Sequence, residues 1–443
     1  MKRANLRTVL VAAAALALLL ALPAIARGAA IVLTGATVHT GTGGAPCGDC
    51  IVVIEGDRFG DVGDDVHAPE GAKIVDCTGK HIYPGLVSAN TVLGLTEIVS
   101  VPGSNDYQET GALNPNIRAE VAINPESELL PVTRMNGVTT ALVVPRGGSI
   151  SGTSALIHLT GWTYADMTMK APVGLHVQWP GARPMRYGAP PRPDEEQKKA
   201  REQAIAAIRR AFEDARAYGR AREAEGASGI PRHDRDVKWE AMHAALRGEI
   251  PVFFHATTLE QIQGVLRFVD EQKLARAVLV GGYDAWRVAP ELKARGIPVI
   301  VGPVLALPRR GWEPYDEAFT LPARLAAAGV TFCISDGGSP FSAPNARNLP
   351  YHAAMAVAFG LSKEDALRSI TLTPAEIFGA DKYVGSIESG KYADLVVADG
   401  DLLEESTHVE QVWINGAPLP MESRQTRLFE KYDARPKPAK ANW

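Results

Sequence analysis

Between residues 81 and 336 the chain alternates short apolar runs with stretches of helical periodicity, and this alternation limits the fold more than any other feature. The runs HIYPGLVSA, GVTTALVVP, PVGLHVQW, IPVFFHAT, RAVLVGG, IPVIVGP and VTFCISD are continuous and rich in β-branched residues. A strand apolar on both faces is buried on both faces, as in a parallel sheet covered by helices. LEQIQGVLRFVDEQK, AWRVAPELKARG, EAFTLPARLAAAG and SKEDALRSITLTPAEIFG supply amphipathic helices. The expected class is therefore α/β, as a (β/α)8 TIM barrel. A doubly wound sheet is the alternative, but it calls for a Gly-rich dinucleotide turn after its first strand, and none stands there.

The two ends of the chain have another texture. Residues 31–79 alternate short β runs with turns, and GKYADLVVADGD and VEQVWINGAPL repeat that pattern near the C-terminus. This predicts a small β-sandwich domain formed from both chain ends. The expected division is a signal peptide at 1–26, the sandwich's first part at 27–80, a barrel at 81–380, the sandwich's second part at 381–430 and a tail at 431–443. A charged helical insertion, 190–248, interrupts the barrel; its Glu and Lys/Arg spacing predicts a solvated helix, with partner docking as the functional alternative. A net charge of −4 argues against a nucleic-acid partner.

Lys2, Arg3 and Arg7 precede an apolar stretch from Val9 to Leu22, and Ala24-Ile25-Ala26 reads as a cleavage site. The stretch is shorter than a membrane-spanning helix needs, so an exported, cleaved chain without stable membrane association is expected, periplasmic or secreted. Export permits a local disulfide between Cys47 and Cys50, with Cys77 as the alternative partner. A zinc site from these three lacks a fourth ligand. Cys333, in an apolar strand run, is expected as a buried free thiol.

HIYPGLVSANTVLGLTEI (residues 81–98) resembles the first barrel strand of the amidohydrolase superfamily. ALRSITLTPAEIFG (366–379), followed by VGSIESGKYADLVV (384–397), resembles the run in which the family's last barrel helix leads into the returning β domain. NGVTTALVVPRGGSISGTSALI (136–157) is similar to imidazolonepropionase-like members. The resemblance implies a barrel with a two-ended β-sandwich and metal-assisted hydrolysis of a C–N bond in an amide or cyclic amide.

Carried over residue by residue, the family's first His-x-His falls on Asn90-Thr91-Val92, and the Asp that commonly precedes it on Ser88. The strand-five histidine falls on His255, the strand-six histidine on Gly281, and the strand-eight aspartate on Asp336. Lys170 and His176 are candidates for the bridging position. The resemblance thus leaves His255 and Asp336 as metal ligands and catalytic residues, holding at most one divalent metal, zinc, with His176 as a third donor. An Asp–His pair can also do acid/base work without metal. Asn90, His176, Arg146 and Tyr283 are the candidate substrate-binding residues. Arg347 is a second candidate carboxylate holder, Trp286 and Trp312 are candidates for an apolar wall, and Gly147–Gly152 is either an anion-binding loop or a tight connection. The expected ligand is a small amide-type molecule. Hydrolysis is one reading, and a metal-free homologue serving as a binding subunit of a homo- or hetero-oligomer is the other.

Overall fold

A computed structural model describes residues 30–181, 193–225, 229 and 234–436 of the 443-residue chain. The expected signal peptide, part of the 190–248 insertion and the last residues of the tail lie outside the described residues. In chain order the strands are β1 (Ile31–Val38), β2 (Cys47–Glu55), β3 (Arg58–Gly63), β4 (Lys73–Asp76), β5 (His81–Pro84), β6 (Leu86–Thr91), β7 (Val138–Val143), β8 (Ile150–Thr153) and β9 (Ala155–His158). They continue as β10 (Thr168–Lys170), β11 (Leu175–Gln178), β12 (Val252–Ala256), β13 (Ala277–Gly281), β14 (Val299–Val301), β15 (Phe332–Ile334), β16 (Leu395–Ala398), β17 (Val409–Ile414) and β18 (Ala417–Leu419).

The protein is of mixed α/β class. Strands from the two ends of the chain share one eight-stranded sheet in the order β18-β17-β16-β5-β1-β2-β3, with β4 beside β1. The join is the antiparallel pair β5–β16, Tyr83 opposite Val396. Cys47 and Cys50 form a disulfide in this sheet, and Cys77 and Cys333 are buried free thiols.

The middle of the chain forms two sheets. The six-stranded one runs β15-β14-β13-β12-β11-β8, parallel from β11 to β15 and antiparallel at β8. The four-stranded one runs β10-β9-β7-β6, with β6 and β7 parallel and β9 and β10 antiparallel to their neighbours. Each predicted strand run contains a strand, but HIYPGLVSA splits at Gly85: its first half joins the two-ended sheet and its second half becomes β6. A Cβ at Gly85 would stand 2.1 Å from the Thr139 hydroxyl, so only glycine lets the chain change sheets so close to β7.

Double-sided burial explains the continuous apolar runs. Phe253 and Phe254 are neighbours on β12, point to opposite faces, and are both fully buried. Phe254 meets Trp179 and Phe268 under the helix layer, whereas Phe253 meets the His176 and Phe378 rings on the inner face. Burying one such side chain stabilises the fold by about 1.5–3 kcal/mol. The helix Leu259–Gln272, between β12 and β13, starts at a capping box between Thr258 and Gln261.

The long charged helix, Asp194–Ala224, departs from the solvated reading. Ile208, Ala211, Phe212 and Ala215 form a buried stripe at helical spacing. Phe212 meets Phe268 edge-on at 5.2 Å, and Arg209 forks onto Glu271 on the same helix as Phe268. The helix is docked along the face that carries Ile208, Ala211, Phe212 and Ala215.

Candidate functional site

The parallel strands deliver their carboxyl ends to one cavity of about 350 Å³. Its wall takes Asn90 from β6, Arg146 from just past β7, Gln178 from β11, His255 from β12, Gly281 from β13 and Gly337 from just past β15. Strand ends are where open α/β architectures collect side chains from distant parts of the sequence. A larger cleft of about 440 Å³ lies between helices Asp194–Ala224 and Val237–Leu246. There Arg216 is spent on Gln272, Arg222 on Glu225 and Arg247 on Glu249.

His255 and His176 sit side by side because β11 and β12 are parallel neighbours. His255 Nε2 and His176 Nδ1 are 2.9 Å apart, sharing one hydrogen bond. His176 is fully buried, stacked on Phe253 at 4.7 Å, and stands behind His255 rather than on the cavity wall. Burial, reinforced by the Arg146 charge, holds both imidazoles well below the usual histidine range, so both are neutral at physiological pH.

Arg146 is anchored from two sides: its Nη2 donates to Asn90 Oδ1 at 3.1 Å and to the Gly338 carbonyl. Its Nε is buried without a partner among the described residues. Burial brings its pKa down to about 10, opposed by the Asp336 charge, so it stays cationic at neutral pH. Gly338 makes this approach feasible. With φ of +65°, it sits where a Cβ would stand 2.2 Å from Arg146 Nη2 and 2.5 Å from Asn90 Nδ2.

Asp336 lies behind Gly337, only 4% exposed. Neither carboxylate oxygen has a well-formed hydrogen bond among the described residues. The nearby Ser342 hydroxyl donates to the Ser339 carbonyl at 2.8 Å. Burial pushes the carboxyl up to about 7, against the opposing pull of the Ser342 hydroxyl, its own backbone amide and Arg146.

The expected zinc does not fit these donors. Among the described residues no group of three or more His, Cys, Asp or Glu side chains comes together in a way that would hold a metal. His255 and His176 spend a nitrogen each on one another, Asp336 completes no three-donor set with them, and the charge felt by all three is a guanidinium. Among the described residues His255, Asp336 and His176 therefore do not form a three-donor set. Lys170 is no bridging ligand either, since its Nζ donates to the carbonyls of Phe378 and Gly379.

The other candidates separate cleanly. The Tyr283 ring lines the cavity, but its hydroxyl donates to Glu313 at 2.9 Å. Burial and that carboxylate push the phenol up to about 12. Trp286 donates to Glu317, Trp312 is 69% exposed, and Arg347 is exposed on a 3-10 turn; none of the three lines the cavity. In the Gly147–Gly152 loop the Ser149 and Ile150 amides both donate to the Ala112 carbonyl, so the loop is a tight connection. Sequence reasoning missed Gln178, Thr257 and Arg309 on the wall. Gln178 and Thr257 end or follow strand runs, a position that could have singled them out; Arg309 sits in a loop with no such signal.

A mixed α/β protein with a cavity at the ends of parallel strands is the class that fold and site define. The comparisons narrow it. Residues 318–419 match the family described as "Amidohydrolase family". The amidohydrolase tasK of Hapsidospora irregularis is 26% identical over 397 residues, 79% of this chain and 37% of its own length. The solved amidohydrolase from Thermotoga maritima superposes with a TM-score of 0.77 at 27% identity, over 89% of this chain and all of that one. An adenosine deaminase from Xanthomonas campestris, solved with bound zinc, shares the fold at a TM-score of 0.50 and 18% identity, over 91% of this chain and 97% of that one. The family match, the tasK relative and the Thermotoga structure together support membership of the amidohydrolase superfamily. The chain spans between 13% and 41% of the length of the curated relatives it matches.

Proposed function

We propose that this chain is an exported hydrolase that takes a small amide-type molecule into the strand-end cavity and opens a C–N bond there without a three-donor metal centre. The observation that carries the reading is the Asp336 carboxyl, buried and unpartnered directly behind the cavity wall. Its free lone pairs suit it to take a proton. In the proposed step a water oxygen bonds to the carbonyl carbon of the substrate while Asp336 takes the water's proton. The C–N bond then breaks as that proton passes to the nitrogen, leaving an acid and an amine. His255, neutral and fixed by His176, orients the reacting group, while Asn90 and the Tyr283 ring shape the wall.

The same reading takes β6, β7 and β11–β15 as parts of one (β/α)8 barrel and the two-ended sheet as a β-sandwich domain, with the domain limits expected from the sequence. The Thermotoga likeness supports this, as does a single buried cluster that draws Val87, Leu142, Phe253, Val280, Ile300 and Cys333 from six strands. Export rests on the N-terminal leader pattern, and the Cys47–Cys50 disulfide supports an oxidising compartment. A second reading, a binding subunit that pairs with an active chain, is favoured by the sealing of Asp336 at 4% exposure.

The test is turnover of a panel of N-acyl amino acids and cyclic ureides by the full mature chain, with and without a chelator. Hydrolysis that survives chelation and falls at least ~100-fold in Asp336→Asn is expected. Activity abolished by chelation and restored by zinc would contradict the proposal. Binding without turnover would favour the second reading.

A further inference from the structure

Among the described residues the cavity wall carries two guanidinium groups, Arg146 and Arg309, and no aspartate or glutamate. Arg309 stands over the Tyr283 ring at 5.2 Å. Arg146 is held by Asn90, the residue at the family's first ligand position, and by Gly338, whose missing side chain makes the room. Its charge reaches His176, His255 and Asp336 together. A divalent cation beside this guanidinium would meet like-charge repulsion in a poorly solvated site. Its buried Nε, without a partner among the described residues, calls for an acceptor.

We infer that Arg146 is the permanent cation of the site, built in where a metal would otherwise supply the charge, and that the cavity selects a carboxylate-bearing amide whose carboxylate seats on the Arg146 Nε–H edge, with Arg309 drawing it in from the wall. Guanidinium recognises a carboxylate by directed, charge-assisted hydrogen bonds and does not depend on metal supply. The inference rests on the proposed amide-handling role and specifies what distinguishes one amide from another. It assigns Arg146 to ligand binding and leaves proton transfer to Asp336.

The experiment uses the full mature chain and three probes in titration calorimetry: N-acetylglycine, its uncharged counterpart N-acetylglycinamide, and zinc chloride. N-acetylglycine is expected to bind at least ~10-fold more tightly than the uncharged amide. Arg146→Gln is expected to erase that difference, Arg309→Gln to reduce it by roughly 3-fold, and zinc to leave the wild-type chain unbound at the site. Equal binding of the two amides by the wild-type chain, or unchanged discrimination in a folded Arg146→Gln variant, overturns the inference. So does tight binding of one zinc per chain that His255→Ala removes. Where Arg146→Gln fails to fold, Arg309→Gln and the wild-type comparison decide alone, and discrimination unchanged in Arg309→Gln counts against the inference. Hydrolysis of uncharged amides that needs Asp336 and no metal would leave the proposed function standing while removing this inference. Arg146-dependent binding without any turnover would do the reverse.

Discussion

Two buried carboxylates near the same end of the molecule behave in opposite ways. Asp284 is 1% exposed and Asp336 is 4% exposed, so burial alone does not separate them. Burial pushes the Asp284 carboxyl up, but the Arg310 hydrogen bonds, the Leu259 amide and the charges of Arg310 and Arg287 outweigh it and hold it below the ordinary value. Glu313, in the same cluster, accepts from the Arg309 and Arg310 amides, the Tyr283 hydroxyl and the Arg310 guanidinium. Asp336 has one cation nearby that forms no ion pair with it, and burial wins. A satisfied carboxylate fastens a loop, whereas an unsatisfied one retains capacity for a ligand or a proton.

The comparison breaks most visibly if Arg310 is removed. Arg310→Ala strips Asp284 and Glu313 of their shared cation and is expected to cost about 3–5 kcal/mol in denaturant unfolding. A loss under about 1 kcal/mol would mean that the backbone donors satisfy both carboxylates unaided.

Asp336→Asn is expected to act in the other direction. Because the folded carboxyl is raised from 3.8 to about 7, the native chain holds a proton across that range which the unfolded chain has lost. Stability therefore falls as pH rises from about 4 to about 7 and stays low above, by at most about 4 kcal/mol. The Asp336→Asn variant should lack this loss, so melting temperatures measured from pH 4 to 8 should diverge most above pH 7. Parallel curves would show that Asp336 ionises normally.

Two glycines sharpen the contrast at smaller scale. Gly338→Ala would press a methyl group against Arg146 and Asn90 at a left-handed φ, and should cost about 1–3 kcal/mol and weaken N-acetylglycine binding. Gly311→Ala, in the Arg310–Glu313 turn, meets open space. It should change unfolding by less than about 0.5 kcal/mol.

Much of this arrangement can be read in the sequence because it is local. Runs such as IPVFFHAT carry their double-sided burial in their own residues, whereas His255 is picked out by the family resemblance. The docked face of helix Asp194–Ala224 was present at i, i+3, i+4 and i+7 spacing, though masked by the surrounding charge. The antiparallel strands β8–β10 were missed because each is only three or four residues long. The sequence singles out Arg146 as a candidate substrate-binding residue but not what anchors it. It lies beyond its strand in a Gly-rich loop, and the carbonyl that fixes it belongs to Gly338, 192 residues away. The family resemblance leaves at most one metal on His255 and Asp336, whereas the geometry brings together an arginine, an unpaired aspartate and two neutral imidazoles.

The most direct measurement is a crystal structure of the chain soaked with N-acetylglycine and zinc, with data collected at the zinc edge. A carboxylate oxygen is expected at roughly 2.7–3.2 Å from Arg146 Nε, with no anomalous peak among His176, His255 and Asp336. A zinc peak bridging His255 and Asp336, with the Arg146 guanidinium displaced from Asn90, would contradict this expectation.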